Sequence, residues 1–160
     1  MKSKNLTSAV RQAVLSALGQ PELANVIVEG TLLHKDVTIP TADVLTLYTT
    51  AYELIPAPGA GNCILVEGVY ATIDYASATY SAGSNTLDVR YTNSSGDLVA
   101  QLTNAFLTSS ADGRAQADMQ AETVPVVNAA VVAHVPSANP TTGDSDIKVR
   151  VYYRIVPSLL

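Results

Sequence analysis

Cys63, His34, His134 and the pair Asp144 and Asp146 are the side chains whose types could carry chemistry in this 160-residue chain. A cysteine nucleophile needs a base within hydrogen-bond reach, and nothing in the sequence places either histidine beside Cys63. Cys63 opens an apolar run and reads as a small buried hydrophobe. The two histidines stand a hundred residues apart, without HxH or HxxxH spacing. Zinc is therefore not expected, and each histidine reads as a half-exposed strand residue. Gly143-Asp144-Ser145-Asp146 sets two carboxylates two positions apart in a loop. The ligand series of a calcium loop is missing, and Asp is ordinary turn chemistry. Gly59-Ala60-Gly61-Asn62 is followed by a strand-like run and no Lys-Ser or Lys-Thr. A phosphate cradle needs a helix N-terminus there, so this is a turn between strands. The other acids are scattered singly, and no carboxylate pair for sugar hydrolysis stands out. No catalytic residue, metal ligand or cofactor site is expected.

What remains is surface chemistry. The chain has eight Tyr and no Trp. Tyr152 shares the polar face of the last apolar run with Arg150 and Arg154, where it could pack in an interface or stack on a sugar. The lack of Trp favours the interface.

The elements that must position these residues are strands. Ile147, Val149, Val151, Tyr153 and Ile155 alternate with Lys148, Arg150, Tyr152 and Arg154, the pattern of a half-buried antiparallel strand. Leu33 to Ile39 alternates in the same way and ends at Pro40, with a turn at Thr41 to Asp43. Val44 to Leu47 and Ala51 to Ile55 read as two short strands or one long bent one, and Ile64 to Tyr75 as the longest, with a bulge or bend at Gly68. Thr86 to Thr92 puts Leu87, Val89 and Tyr91 inside and Asp88 and Arg90 outside; Asn93 to Asp97 turns it back into Leu98 to Leu102. Residues 103–121 read as a surface excursion with one short helix, Val124 to Val135 as a broken apolar strand, and 137–146 as a loop.

About eight strands without a βαβ rhythm or an internal repeat predict an all-β fold. The expected architecture is an antiparallel two-sheet β-sandwich, jelly-roll-like rather than a closed barrel. An immunoglobulin-type sandwich is the alternative, weakened by the absence of Trp and of a Cys pair. The sandwich is expected over 31–160, after a linker over 21–30 with a short strand at Val26 to Val28.

Residues 1–20 form an N-terminal arm of different character. Leu6, Val10, Val14 and Leu18 recur every fourth residue, Asn5 or Thr7 can cap the start, and Gly19 and Pro21 stop the pattern. That predicts an amphipathic helix of about three turns, marginal alone in water. Its apolar face must dock, either on its own sandwich or on a neighbouring subunit. Leu6, Val10, Arg11, Val14 and Leu18 are therefore candidate interface residues together with Arg150, Tyr152 and Arg154.

Charge divides the chain at the same place. Residues 1–20 carry Lys2, Lys4 and Arg11 and no acid; the remaining 140 residues carry six bases and fourteen acids. An arm of +3 on a body of −8 gives no basic stripe for nucleic acid, and the arm suits an acidic partner, including another copy of the body. No run of 18 apolar residues exists to cross a membrane. One cysteine excludes an internal disulfide framework, and the N-terminus lacks a signal-type apolar core, so a cytoplasmic chain or one assembled there into a particle is expected. Charged residues make up only 14%, which suits a surface largely covered by neighbours.

LIPAPGAGNCILVEGVYATIDY (54–75), TLDVRYTNSSGDLVAQL (86–102) and NPTTGDSDIKVRVYYRIV (139–156) resemble small capsid-decoration, or cement, proteins of tailed bacteriophages. The resemblance implies a jelly-roll or related sandwich on the outside of a head, often trimeric, clamping major capsid subunits, and it brings no catalytic motif. It places the protein in the virion, on the capsid surface, assembled in the host cytoplasm. The alternative is a carbohydrate- or receptor-binding module on the same scaffold.

Overall fold

A computed structural model describes residues 31–158. The arm (1–20) and the linker (21–30), with Val26 to Val28 and the candidates Leu6, Val10, Arg11, Val14 and Leu18, lie outside the described residues.

The cleanest alternation in the sequence becomes the centre of the first sheet. β11 (Asp146–Pro157) pairs antiparallel with β1 (Leu33–Ile39) on one side and with β3 (Asn62–Asp74) on the other. β3 in turn pairs with β7 (Gly113–Gln116), giving the order β1-β11-β3-β7. The second sheet contains β2 (Tyr52–Ile55), β5 (Leu87–Tyr91), β6 (Leu98–Leu102), β8 (Asp118–Met119) and β9 (Val131–His134). Its order is β2-β9-β5-β6-β8. β4 (Tyr80–Ser81) and β10 (Thr141–Thr142) make a two-stranded ribbon. The fold is an all-β, antiparallel two-sheet sandwich, as the strand patterns predict.

One core lies between the two sheets. Ile64, Val69, Ala71, Ile73, Ile147, Val149 and Val151 meet Leu54, Leu87, Val89, Leu102 and Val131 there, all buried. Each of the Val, Leu and Ile side chains contributes about 1.5–3 kcal/mol relative to exposure. Tyr91 ties the sheets together: its hydroxyl donates to the Ile64 carbonyl at 2.6 Å, and burial pushes its pKa up to about 12. In the β5–β6 turn a Cβ on Gly96 would lie 1.7 Å from the Tyr91 carbonyl oxygen, so only glycine fits.

The two ends of the sandwich differ. After β1 and β6 the chain makes two single-turn helices, α1 (Thr41–Val44) and α2 (Asn104–Leu107). Val44, Leu47, Phe106 and Leu107 are buried and close that end. Asp146 holds the start of α1, accepting from the Thr41 N–H at 2.9 Å. The Thr103 hydroxyl caps α2 through the Phe106 N–H at 3.4 Å. At the other end lie the 56–61 turn, the 92–97 turn and the segment 124–130. There Asn128 donates to the Asn62 carbonyl, and Val127 bridges Cys63.

Several sequence expectations are corrected. Val44 to Leu47 is helix and turn rather than strand, because the nearby end of β11 supplies the cap for α1. Residues 113–119 form β7 and β8 although their composition favours helix; pairing with β3 and β6 decides. Val124 to Val135 is strand only over β9, with an irregular path before it, and the loop after β9 contributes β10. Asp88 points to the outer face as expected, yet it is 1% exposed because that face is covered. The Gly68 irregularity is present: the β11 register shifts between Tyr152 and Tyr153, which pair with Gly68 and Val66.

Candidate binding interface

The outer face of the first sheet gathers the polar side chains of four strands. Across it run two rungs, Asp36–Arg150–Tyr70–Gln116 and Thr38–Lys148–Thr72–Arg114, with His34–Tyr152–Gly68 beside them. Four of the six bases beyond residue 20 lie here: Arg114, Lys148, Arg150 and Arg154. Three are paired. Arg150 grips Asp36 with two bonds of 2.6 Å, Arg154 donates to Glu67 at 2.8 Å, and Lys148 reaches Asp74 at 3.4 Å. The Arg150 hydrogen bonds hold the Asp36 carboxyl below its ordinary value, and Asp36 raises Arg150. Exposed pairs of this kind add little stability. Their effect is to fix long side chains in place, which lowers the entropy cost of meeting a partner.

The aromatic part of the face is also fixed. Tyr70 and Tyr152 meet edge to face at 5.8 Å, and His34 tilts against Tyr152 at 5.9 Å. Gly68 lies opposite Tyr152, and a Cβ there would make ordinary contact with the Tyr70 ring at 3.7 Å. Tyr70 is 43% exposed. Asp36, Thr38, Tyr70, Thr72, Arg150 and Tyr152 line an open hollow of about 470 Å³. Among the described residues β1 is an edge strand, and Lys35 points inward on it, a device that discourages a further strand.

Arg150, Tyr152 and Arg154 lie together on this face as the alternation predicts. Asp36 and Tyr70, which complete it, are residues the sequence reading missed, and His34 enters as a surface aromatic. Their signal was the same alternation read across neighbouring strands, which needs the register.

The residues with catalytic potential are not brought together. Cys63 is buried on β3. Asp144 accepts from Ser77 (N–H 3.0 Å, hydroxyl 2.5 Å) and the Ala78 N–H at 2.9 Å, bonds that hold its carboxyl below the ordinary value. Asp146 is occupied by Thr41. Among the described residues no group of three or more His, Cys, Asp or Glu could hold a metal ion.

His134 corrects the half-exposed expectation: it is 5% exposed. Nε2 donates to the Tyr48 carbonyl at 3.2 Å, and buried Nδ1 has no hydrogen-bond partner among the described residues. Burial pushes the imidazole below its ordinary 6.5, with the Tyr48 bond acting the other way. Below pH 6.5 the unfolded chain therefore takes up a proton that the folded chain refuses, and stability falls. Asp144 adds a second loss, from the ordinary 3.8 down through its lower folded value. Denaturation midpoints at fixed ionic strength are expected to drop between pH 7 and 5 and again below pH 4. A flat profile from 7 to 5 would contradict the burial of a neutral His134.

No protein-family model and no curated protein matches the chain. Three solved structures to which it is similar come from phage capsids. The acidic stable capsid of Helicobacter pylori bacteriophage KHP30 contains a chain with 15% identity and a TM-score of 0.46, covering 81% of this chain and 91% of that one. The cyanophage Pam1 capsid asymmetric unit gives 19% identity and 0.43, covering 79% and 84%. The capsid of Ralstonia phage GP4 gives 18% and 0.41, covering 79% and 85%.

Proposed function

We propose that this chain is a virion structural protein, a capsid decoration or cement protein that binds the assembled head through the outer face of the β1-β11-β3-β7 sheet. One observation carries the proposal: an otherwise acidic body concentrates four of its six bases on one sheet face, three of them ion-paired, around exposed Tyr70 and half-buried Tyr152. Preset Arg and Tyr side chains are what protein interfaces favour at their centres. Because most of these bases are already neutralised by acids, the face suits a protein surface of mixed charge rather than a run of phosphates. The strand order agrees. Taking β4, β8 and β10 as additions, the eight remaining strands run first-eighth-third-sixth and second-seventh-fourth-fifth, the order of a jelly roll. The three phage-capsid chains point the same way, but the sheet face, not that likeness, carries the proposal.

In this reading the partner is the major capsid protein, copies associate as a homotrimer, and the site of action is the capsid surface. The mechanism is mass action rather than catalysis. A protein that binds only the assembled shell stabilises it by its differential affinity for that state.

The purified protein is expected to scatter light as a trimer and to sediment with assembled shells but not with unassembled capsid subunits. A strict monomer that ignores shells would sink the proposal. The hollow beside Tyr70 and Tyr152 favours one second reading, a carbohydrate-binding module in which a sugar stacks on an exposed ring. A glycan-array signal lost in Tyr152→Ala, with no shell binding, would select it.

A further inference from the structure

Alternation along β11 is clean from Asp146 to Val151 and then fails: from Tyr152 to Val156 every residue is half-buried. Tyr153 and Ile155 lie on the inward side, so among the described residues the sandwich is open towards the end where β11 finishes. The largest exposed aliphatic side chains gather at the same end. Leu32 (49% exposed) precedes the Leu33–Tyr153 pair, and Val127 (42%) bridges Cys63. Val124 (74%) lies beside Leu98, where β6 begins, with Thr123 donating to the Leu98 carbonyl. The opposite end is closed by α1 and α2 with Val44, Leu47, Phe106 and Leu107. One end thus has its helical lid, and the other presents apolar side chains without one among the described residues.

We infer that the occupant of the open end is the chain's own residues 5–18, lying across it with Leu6, Val10, Val14 and Leu18 facing Leu32, Tyr153, Val124 and Val127. Four features of the molecule carry this. The chain enters β1 at this end, at Leu33, so residues 19–30 are tethered beside the patch. A twelve-residue connection reaches about 20 Å, which covers the end and gives an effective concentration in the millimolar range. A helix over residues 5–18 is about 21 Å long, against about 19 Å between the outer strands of a five-stranded sheet. Charge also matches: Lys2, Lys4 and Arg11 meet an end that carries Asp97 and Glu122 beside Leu98 and Val124. Asp97, Glu122 and Val124 line a groove of about 630 Å³ there.

This docking is independent of what the outer sheet face binds. Its test uses the full chain. In V10D/V14D, hydroxyl-radical oxidation of Leu32, Val124 and Val127 is expected to rise severalfold, while exposed Tyr48 and Tyr70 stay unchanged. Equal oxidation in both proteins would overturn the inference. In a second measurement Val124→Cys is combined in turn with Val10→Cys and Val14→Cys, and a bismaleimide is added; Cys63 is buried and does not compete. A cross-link within one chain is expected. Cross-links only between chains would assign the end to a neighbouring copy's arm, and no cross-link would remove the arm from this end; either result overturns the inference. Shell binding can fail in all these variants without touching the result.

Discussion

Changing Arg90 to leucine is expected to destabilise the protein by about 3 kcal/mol, the lower part of the range for orphaning a buried charge. The reason is Asp88, a carboxylate on the outer face of the second sheet that is 1% exposed. It accepts from Arg90 Nη2 at 2.7 Å and Nε at 3.2 Å, from the Thr86 hydroxyl at 2.7 Å and from Gln101 Nε2 at 3.0 Å. Arg90 also donates to the Gly96 carbonyl at 3.0 Å, closing the β5–β6 turn. Leucine removes three bonds at once and leaves a charge with two neutral donors. The Arg90 side chain is 21% exposed, so some water can follow, which is why the lower part of the range applies. The melting point should fall by roughly 10 °C. Replacing both partners tests the cause: D88L/R90L should recover part of the loss, since an apolar pair has no unmatched charge. If the double variant is less stable than Arg90→Leu alone, packing rather than charge sets the cost.

This cluster also shows where sequence reading stops. Asp88 and Arg90 sit at strand positions that alternate outwards, and local pattern cannot tell an outer face in water from one under loops. β11, β1 and β3 were legible because their outer face is solvated, so polarity and burial report the same thing. β7 and β8 were not, since Gly-Arg-Ala-Gln and Asp-Met have no strand signal and owe their form to β3 and β6. α1 depends on Asp146, 105 residues away. The candidate interface was half legible for the same reason. Arg150, Tyr152 and Arg154 share one strand and follow from its period, whereas Asp36, Tyr70 and His34 join them only through the β1–β11–β3 register.

The largest functional effect is expected from Tyr152→Ala, which should weaken binding to assembled shells by about 30- to 1000-fold, the 2–4 kcal/mol typical of a central aromatic anchor. Tyr152 touches both aromatic neighbours, His34 and Tyr70, and stands beside the Asp36–Arg150 clamp. Losing its ring removes contact area and also frees Tyr70 and His34 to sample other rotamers, so the remaining face meets a partner less well ordered. Lys148→Ala, at an exposed pair with Asp74, should cost less than tenfold, because rim charges contribute little. Arg150→Lys separates shape from charge: it keeps the positive charge but cannot hold Asp36 through two parallel bonds. An intermediate loss is expected there. The readout is cosedimentation with shells across a concentration series, with melting points taken alongside. Tyr152 is only half-buried, so its variant should fold and melt within a few degrees of the native chain. Equal shell affinity for Tyr152→Ala and Lys148→Ala would mean that this face is not what meets the shell.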